Sequence, residues 1–365
     1  MKLVISTLLF FSSLVQSFGQ VLIEDSVRNV YGFAIAAPQP QDMERFVQFI
    51  DQELGPNGIN TLVLRVDYGY EYESYPNLRN ENPLSKKEVK KIVAAAQKWN
   101  IQLIPQINLL GHQSWAGDLE MLLTEYPEFD ETPHVSMPRE YKWPNEDGLY
   151  CKSYCPLHPK VHEVVFALVD EVTEVFESKA FHAGMDEVFY IGDDKCPRCA
   201  GKNNAQLFAD EVGRIRDHLA QSGRELWIWG DRMLEGEISG LGMWEASENG
   251  TEASIDLVPK DIVVCDWHYN VAEPTPAIFA SRGLQVVSCF WNKEEVALAH
   301  MEMMDFFKAN SNETMRPKYL GTMQTIWSPA KPFLDAYYEV EGSSQSSLDQ
   351  AASFKAMLKY IKEQE

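Results

Sequence analysis

Residues 181–190 read Phe-His-Ala-Gly-Met-Asp-Glu-Val-Phe-Tyr (FHAGMDEVFY), a short apolar run that ends in two adjacent carboxylates and then in aromatic residues. A helix-type pattern precedes the stretch, and a Gly/Asp/Lys loop leads from it into another helix. Residues 179–183 are therefore expected as a buried strand, with Asp186 and Glu187 just past its C-terminal end, where parallel α/β proteins carry their chemistry. Neighbours on an extended strand point to opposite faces, so a shared pocket requires the chain to turn there. Gly184, free of a Cβ, can make that turn. An Asp-Glu pair taken alone reads as a helix cap beside a solvated carboxylate. Here His182, Met185, Val188, Phe189 and Tyr190 surround it with groups able to desolvate a carboxyl and raise its pKa.

Working outward, one unit recurs: a short apolar run of β type, a loop, and an amphipathic helix. Strands are expected at residues 30–36, 61–66, 101–107, 179–183, 225–229, 262–267, 284–290 and 319–327. Helices are expected at 41–54, 161–176, 205–220, 294–309 and 347–362, with others between the remaining strands. Another starts at Ser85, where Glu88 three residues on completes a capping box and Val89, Ile92, Val93, Ala96 and Trp99 form the apolar stripe. Residues 111–159 are irregular, rich in Pro, Trp, Tyr and Glu, with one short helix near 119–125; a loop this long is usually functional. Eight strands alternating with helices predict an α/β fold, a single (β/α)8 TIM barrel with its active site at the C-terminal ends of the strands. An open doubly wound sheet is the competitor, but no glycine-rich phosphate fingerprint follows an early strand. Polar and aromatic residues gather at the same end of nearly every strand: Asp67 and Tyr68, Asn108 and His112, Asp186 and Glu187, Trp229 and Asp231, Trp267 and Tyr269, Trp291 and Asn292, and Trp327.

The chain of 365 residues holds 54 Asp+Glu against 32 Lys+Arg, a formal charge of -22. That balance disfavours nucleic acid and anionic membrane surfaces and points to a neutral ligand. Nine Trp and 15 Tyr supply flat faces suited to sugar rings. Residues 1–20 have the charge, apolar run and small residues of a secretory signal peptide, so residues 21–365 are expected as an exported catalytic domain, periplasmic or extracellular. Two carboxylates in an aromatic, neutral-ligand pocket suggest glycoside hydrolysis. Sequence neighbours cannot easily stand on opposite sides of a glycosidic bond, so the pair suits a scheme in which the substrate supplies its own nucleophile.

The run from His182 to Val188 resembles the H-x-G-x-D-E-V signature of family 20 glycoside hydrolases, the β-N-acetylhexosaminidases. Asn60-Thr61-Leu62-Val63-Leu64 with Asp67, Ile104-Pro105-Gln106-Ile107-Asn108 with Gly111-His112, Trp229-Gly230-Asp231, Trp267-x-Tyr269 and residues 321–327 are similar to further strands of that family. The likeness is nearest to compact members such as hexosaminidase D. It implies that Glu187 is the general acid/base and that Asp186 orients a 2-acetamido group, with Tyr269 donating to its carbonyl. Trp327, with Trp267 or Trp229, would wall the sugar, His112 would stand behind Glu187, and Asp67, Asn108 and Asp231 would meet sugar hydroxyls. It also implies a glycan with terminal N-acetylhexosamine as partner and no cofactor for catalysis. Gln106 and Asn108 stand where many members carry Glu and Asp, and Ser328-Pro329 follows Trp327 where many carry a carboxylate. The family's sugar-binding arginine at the end of the first strand has no counterpart at Arg65. Two other readings stand beside this one: a barrel glycosidase of different sugar specificity, and a carbohydrate-binding protein without catalysis.

Six cysteines are present. Cys265 and Cys289 fall inside strands and read as buried thiols. Cys151, Cys155, Cys196 and Cys199 fall on loops that should be neighbours at the barrel mouth. Their paired spacing suits a zinc site of four thiolates, whereas an oxidising setting weighs toward disulfides. Either would staple the loop behind Glu187.

Overall fold

A computed structural model describes residues 29–115, 117–137 and 151–364. The proposed signal peptide lies outside these residues. Eight parallel strands close into a barrel: β1 (Val30–Ala36), β2 (Thr61–Arg65), β3 (Gln102–Leu109), β4 (Ala180–Gly184), β5 (Glu225–Trp229), β6 (Val263–Trp267), β7 (Gln285–Phe290) and β8 (Tyr319–Ile326). Each strand pairs with its sequence neighbours, and β8 returns to β1, so the sheet has no open edge. The expected strands agree with these bounds to within two residues.

Alternation along the strands builds two cores. In β5, Trp227 and Trp229 point into the barrel beside Val63, Ile104, Cys265, Cys289 and Met323, while Leu226 and Ile228 face the helical layer. The helices α1 (Met43–Phe49), α2 (Lys86–Lys98), α3 (Val161–Val175), α4 (Asn204–Ala220), α5 (Pro276–Ser281), α6 (Glu294–Asn310), α7 (Ala330–Tyr337) and α8 (Gln345–Gln364) cover the outside. α2 begins with the expected capping box: the Glu88 N–H donates to Ser85 Oγ, and Glu88 Oε2 accepts from the Ser85 N–H at 2.8 Å. α1 is shorter than expected, because residues 50–54 continue it as a wider, π-type turn.

Two connections depart from the regular unit, and both carry residues to the mouth. Residues 230–262 were expected to hold a helix like the other connections. They form only short helical turns, Asp231–Met233, Gly242–Glu245 and Glu252–Asp256, interrupted at Gly240 and Gly250, which take positive φ. Among the described residues of the long loop after β3, Ser114–Trp115 pairs antiparallel with Asp118–Leu119, and Met121–Glu125 forms a short helix.

Candidate active site

The stretch after β4 leaves extended geometry at once. Gly184, Met185 and Glu187 have φ of 66°, 70° and 48°, so the chain coils and turns both carboxylates into one cavity. At Gly184 a Cβ would meet Asn108 Oδ1 at 2.4 Å, which makes glycine necessary for packing as well as for the turn. Such backbone concentrates at sites whose surroundings hold it in place. Here the Glu187 N–H donates to Asp231 Oδ2 at 2.9 Å, and Asn249 Nδ2 donates to the carbonyls of Val188 at 2.8 Å and Phe189 at 3.1 Å.

His112, itself at φ 52°, places Nε2 3.3 Å from Asp186 Oδ2 and 3.3 Å from Glu187 Oε2. The three groups set one another's protonation. Burial would push His112 down, but the charge of Asp186, followed by the Cys151 thiol and hydrogen bonds to both carboxylates, holds the imidazole well above its usual range. Burial would likewise raise Asp186, yet His112 keeps that carboxyl below its ordinary value. In Glu187 burial prevails over the hydrogen bond and charge of His112, with the negative charges of Asp186 and Asp231 adding to it, and the carboxyl is raised. Two adjacent carboxyls are thus biased in opposite directions, Asp186 toward its ionised form and Glu187 toward its protonated one. Asp186 Oδ1 is buried and accepts no hydrogen bond from the described residues.

The cavity, of about 660 Å³, is lined by Asp186, Glu187, Asp67, Asn108, His112, Trp267, Tyr269 and Trp327 among the expected residues. Trp267 and Tyr269 stack with centroids 5.0 Å apart, and Trp291 continues the aromatic wall 5.6 Å from Tyr269. Trp327 Nε1 donates to Tyr269 Oη at 2.8 Å. Because indole can only donate, this leaves the tyrosine's own proton for another acceptor. The indole N–H groups of Trp267 and Trp291 find no acceptor among the described residues.

Two expected sugar-contacting residues, Trp229 as a wall and Asp231 as a partner of hydroxyls, are placed elsewhere. Trp229 belongs to the barrel interior, packed under Trp327 at 5.6 Å, and is only 1% exposed, because its position in β5 points inward below the mouth. Asp231 is equally buried and meets no open space. It holds the Glu187 backbone and pairs with Arg232 Nε at 2.7 Å. Arg232, also buried, donates to the carbonyls of Met243 at 2.6 Å, Trp244 at 3.2 Å and Ala246, and so fixes the loop that brings Trp244 and Glu245 to the rim.

Arg65, Glu120, Ser114, Trp115, Trp244 and Glu245 were not among the sequence-derived site residues, yet all line the cavity. Strand parity could have found Arg65: Val63 points inward, so the side chain two residues on does too. Its guanidinium lies over the Trp327 ring at 5.2 Å, with Nε 3.8 Å from Asp67 Oδ2. Burial, followed by the charge of Asp67, pushes Glu120 up to about 7. Of the substituted positions, Gln106 Nε2 donates to Asn108 Oδ1 at 2.9 Å, and Ser328 Oγ donates to Gln350 Oε1 at 3.1 Å. No local pattern marked Glu120, Trp244 or Glu245, which reach the mouth only by loop folding.

The four loop cysteines do not form one group. Cys151 donates its S–H to the carbonyl of Glu187 at 3.1 Å, whereas Cys155, Cys196 and Cys199 gather with Glu131. All six cysteines are buried and none is joined in a disulfide.

The profile of Glycosyl hydrolase family 20, catalytic domain, matches residues 65–331. A β-hexosaminidase of Akkermansia muciniphila is 27% identical over 143 residues, covering 39% of this chain and 27% of that protein. A lacto-N-biosidase of Bifidobacterium bifidum is 24% identical over 281 residues, 70% of this chain and 22% of the relative. Hexosaminidase D of Bos taurus is 28% identical over 151 residues, 40% and 36% of the two chains. The chain thus spans well under half the length of these curated relatives. Among solved structures, the chitobiase of Flavobacterium johnsoniae superposes with a TM-score of 0.62 at 18% identity, over 92% of this chain and 51% of that one. A β-N-acetylhexosaminidase gives 0.62 at 17% identity, over 92% and 76%. The signature loop folded into the mouth of a closed barrel, and a catalytic-domain match over most of the sequence, place the chain in glycosyl hydrolase family 20.

Proposed function

We propose that this protein is an exported β-N-acetylhexosaminidase that removes terminal β-linked GlcNAc or GalNAc by a retaining, substrate-assisted mechanism. The observation that carries the reading is the turn that brings two adjacent carboxyls into one aromatic-walled cavity, with Asp186 biased toward its ionised form and Glu187 toward its protonated one. The acetamido N–H of the sugar donates to the Asp186 carboxylate, which turns the acetamido carbonyl toward the anomeric carbon. The Tyr269 hydroxyl donates to that oxygen. As the carbonyl oxygen attacks, the glycosidic C–O bond breaks, Glu187 gives its proton to the leaving oxygen, and Asp186 balances the positive charge of the oxazolinium. Glu187, now a carboxylate, takes a proton from water. The water oxygen then attacks the anomeric carbon, the ring opens to restore the acetamide, and two inversions leave the configuration retained.

The substrate's own acetamide is the nucleophile, so no cofactor takes part. Trp267, Trp291 and Trp327 offer walls for the sugar ring, and Arg65, Asp67, Asn108 and Glu120 offer partners for its hydroxyls. Residues 1–20 support export through their sequence pattern alone. The intact carboxyl pair argues against a purely binding role. A different sugar preference keeps one observation in its favour: Gln106 and Ser328 are turned to other side chains rather than into the cavity. The test is release of nitrophenol from an aryl β-N-acetylglucosaminide by the wild type and Glu187→Gln, with an aryl lacto-N-bioside and an aryl β-glucoside alongside. Turnover of the N-acetylglucosaminide, falling about 10²–10⁴-fold in the variant, is expected. Turnover of the glucoside alone would replace the specificity, and no turnover by folded protein would leave a binding role.

A further inference from the structure

Three loop segments meet outside the turn that carries Asp186 and Glu187. Glu131 follows the turn Pro127–Phe129, Cys155 precedes α3, and Cys196-Pro197-Arg198-Cys199 follows β4. All four potential ligands are buried, each no more than 2% exposed, and one donor atom from each lies within 4.8 Å of the others. Cys155 Sγ is 3.6 Å from Cys196 Sγ and 3.4 Å from Cys199 Sγ. A disulfide needs about 2.05 Å. Sulfurs placed tetrahedrally about 2.3 Å from one zinc ion stand about 3.8 Å apart, close to the spacing seen. Glu131 Oε1 accepts the Asp193 N–H at 3.1 Å, while Oε2 is buried with no hydrogen bond from the described residues. A buried carboxylate oxygen left unpaired beside three sulfurs is costly unless a cation completes the group.

We propose that Glu131, Cys155, Cys196 and Cys199 form a structural zinc site. One metal ion explains the cluster better than a disulfide would, since it engages all four groups at once whereas any one bridge engages only two of the three sulfurs and leaves the Glu131 carboxylate outside it. Thiolates select zinc over the hard cations magnesium and calcium. With three thiolates and a carboxylate the ligands carry four negative charges against two on the metal. Arg198 Nε donates to Cys155 Sγ at 3.3 Å and offsets part of the excess. The frame is held without the metal: the Cys155 N–H donates to the Phe129 carbonyl at 2.7 Å, the Ala200 N–H to the Cys196 carbonyl at 3.0 Å, and Arg214 Nη1 to the Pro156 carbonyl at 3.2 Å. Four protein ligands fill a tetrahedron, so the site is closed and does not activate water. Its effect reaches the active site mechanically, because the same segment that carries Cys155 carries Cys151, whose thiol holds the Glu187 carbonyl.

Metal analysis of the full chain purified without chelator tests this. One zinc per chain is expected, and the reduced, metal-stripped protein should take up one cobalt(II) with thiolate-to-cobalt charge-transfer bands and the intense visible bands of a tetrahedral ion. Cys151→Ala should keep the full equivalent. Glu131→Gln and Cys199→Ser should weaken zinc by at least the roughly 10–100-fold that loss of a supporting partner alone produces. Should the cysteine variant not fold, the wild-type cobalt spectrum and Glu131→Gln decide. A metal-free chain with a mapped bridge between Cys155 and Cys196 or Cys199, or a reduced chain that shows no cobalt–thiolate bands, overturns the proposal. Loss of zinc on Cys151→Ala would overturn its ligand set. Because the readout is metal content, it stands apart from whether the barrel hydrolyses N-acetylglucosaminides.

Discussion

Asp186→Asn replaces a buried carboxylate by a neutral group of the same shape, and its effect can be worked from the surroundings. The acetamido N–H would exchange an acceptor that is charged for one that is not, a loss of about 1 kcal/mol. The oxazolinium would lose an anion about 4 Å away, worth about 4 kcal/mol at an effective dielectric of 20. Together, about 5 kcal/mol corresponds to a fall in kcat of roughly 10³–10⁴-fold. The assay compares nitrophenyl and dinitrophenyl N-acetylglucosaminides. Glu187→Gln should be largely rescued by the dinitrophenyl group, which leaves without a proton, while Asp186→Asn should not, because its defect lies in attack by the acetamide. A thiazoline analogue of the intermediate should also bind Asp186→Asn far more weakly than wild type. Activity within tenfold of wild type, or rescue equal to that of Glu187→Gln, would refute the division of roles.

The same division sets the pH profile. Activity falls as pH drops through the depressed pKa of Asp186, and again as pH rises through the raised pKa of Glu187, so the basic limb of kcat/KM should lie above the 4.5 of an ordinary glutamate; a limb at or below that value would contradict the assignment. Gly184→Ala should cost about 2–5 kcal/mol in chemical denaturation, from positive φ together with overpacking. Gly201→Ala, with φ of 72° and nothing within 4 Å of its Cβ, should cost only about 1–2 kcal/mol, and equal losses would deny the contact with Asn108. Arg232→Met leaves Asp231 buried without its cation and should destabilise the fold by about 3–5 kcal/mol. Adding Asp231→Asn should recover part of that in denaturant melts, which a surface pair would not do.

Strand alternation, the capping box at Ser85 and the Gly184 turn are properties of neighbouring residues, and the sequence alone was enough to read the eight strands, the barrel and the pairing of Asp186 with Glu187 in one pocket. Parity within β2 already contained Arg65, and parity within β5 already contained the burial of Trp229. Other features depend on which remote segments the closed barrel brings together. Only the folded chain turns Asp231 away from the cavity and under Glu187, joined to Arg232. Only it carries Trp244 and Glu245 to the rim on a connection interrupted by glycines, and separates Cys151 from the other three thiols while bringing Glu131 to them. The physical reason is range: backbone preference and hydrophobic period act over a few residues and declare themselves locally, whereas ligand sets, proton sharing and loop anchorage are set by distances between segments tens of residues apart, and these exist only once the barrel has closed.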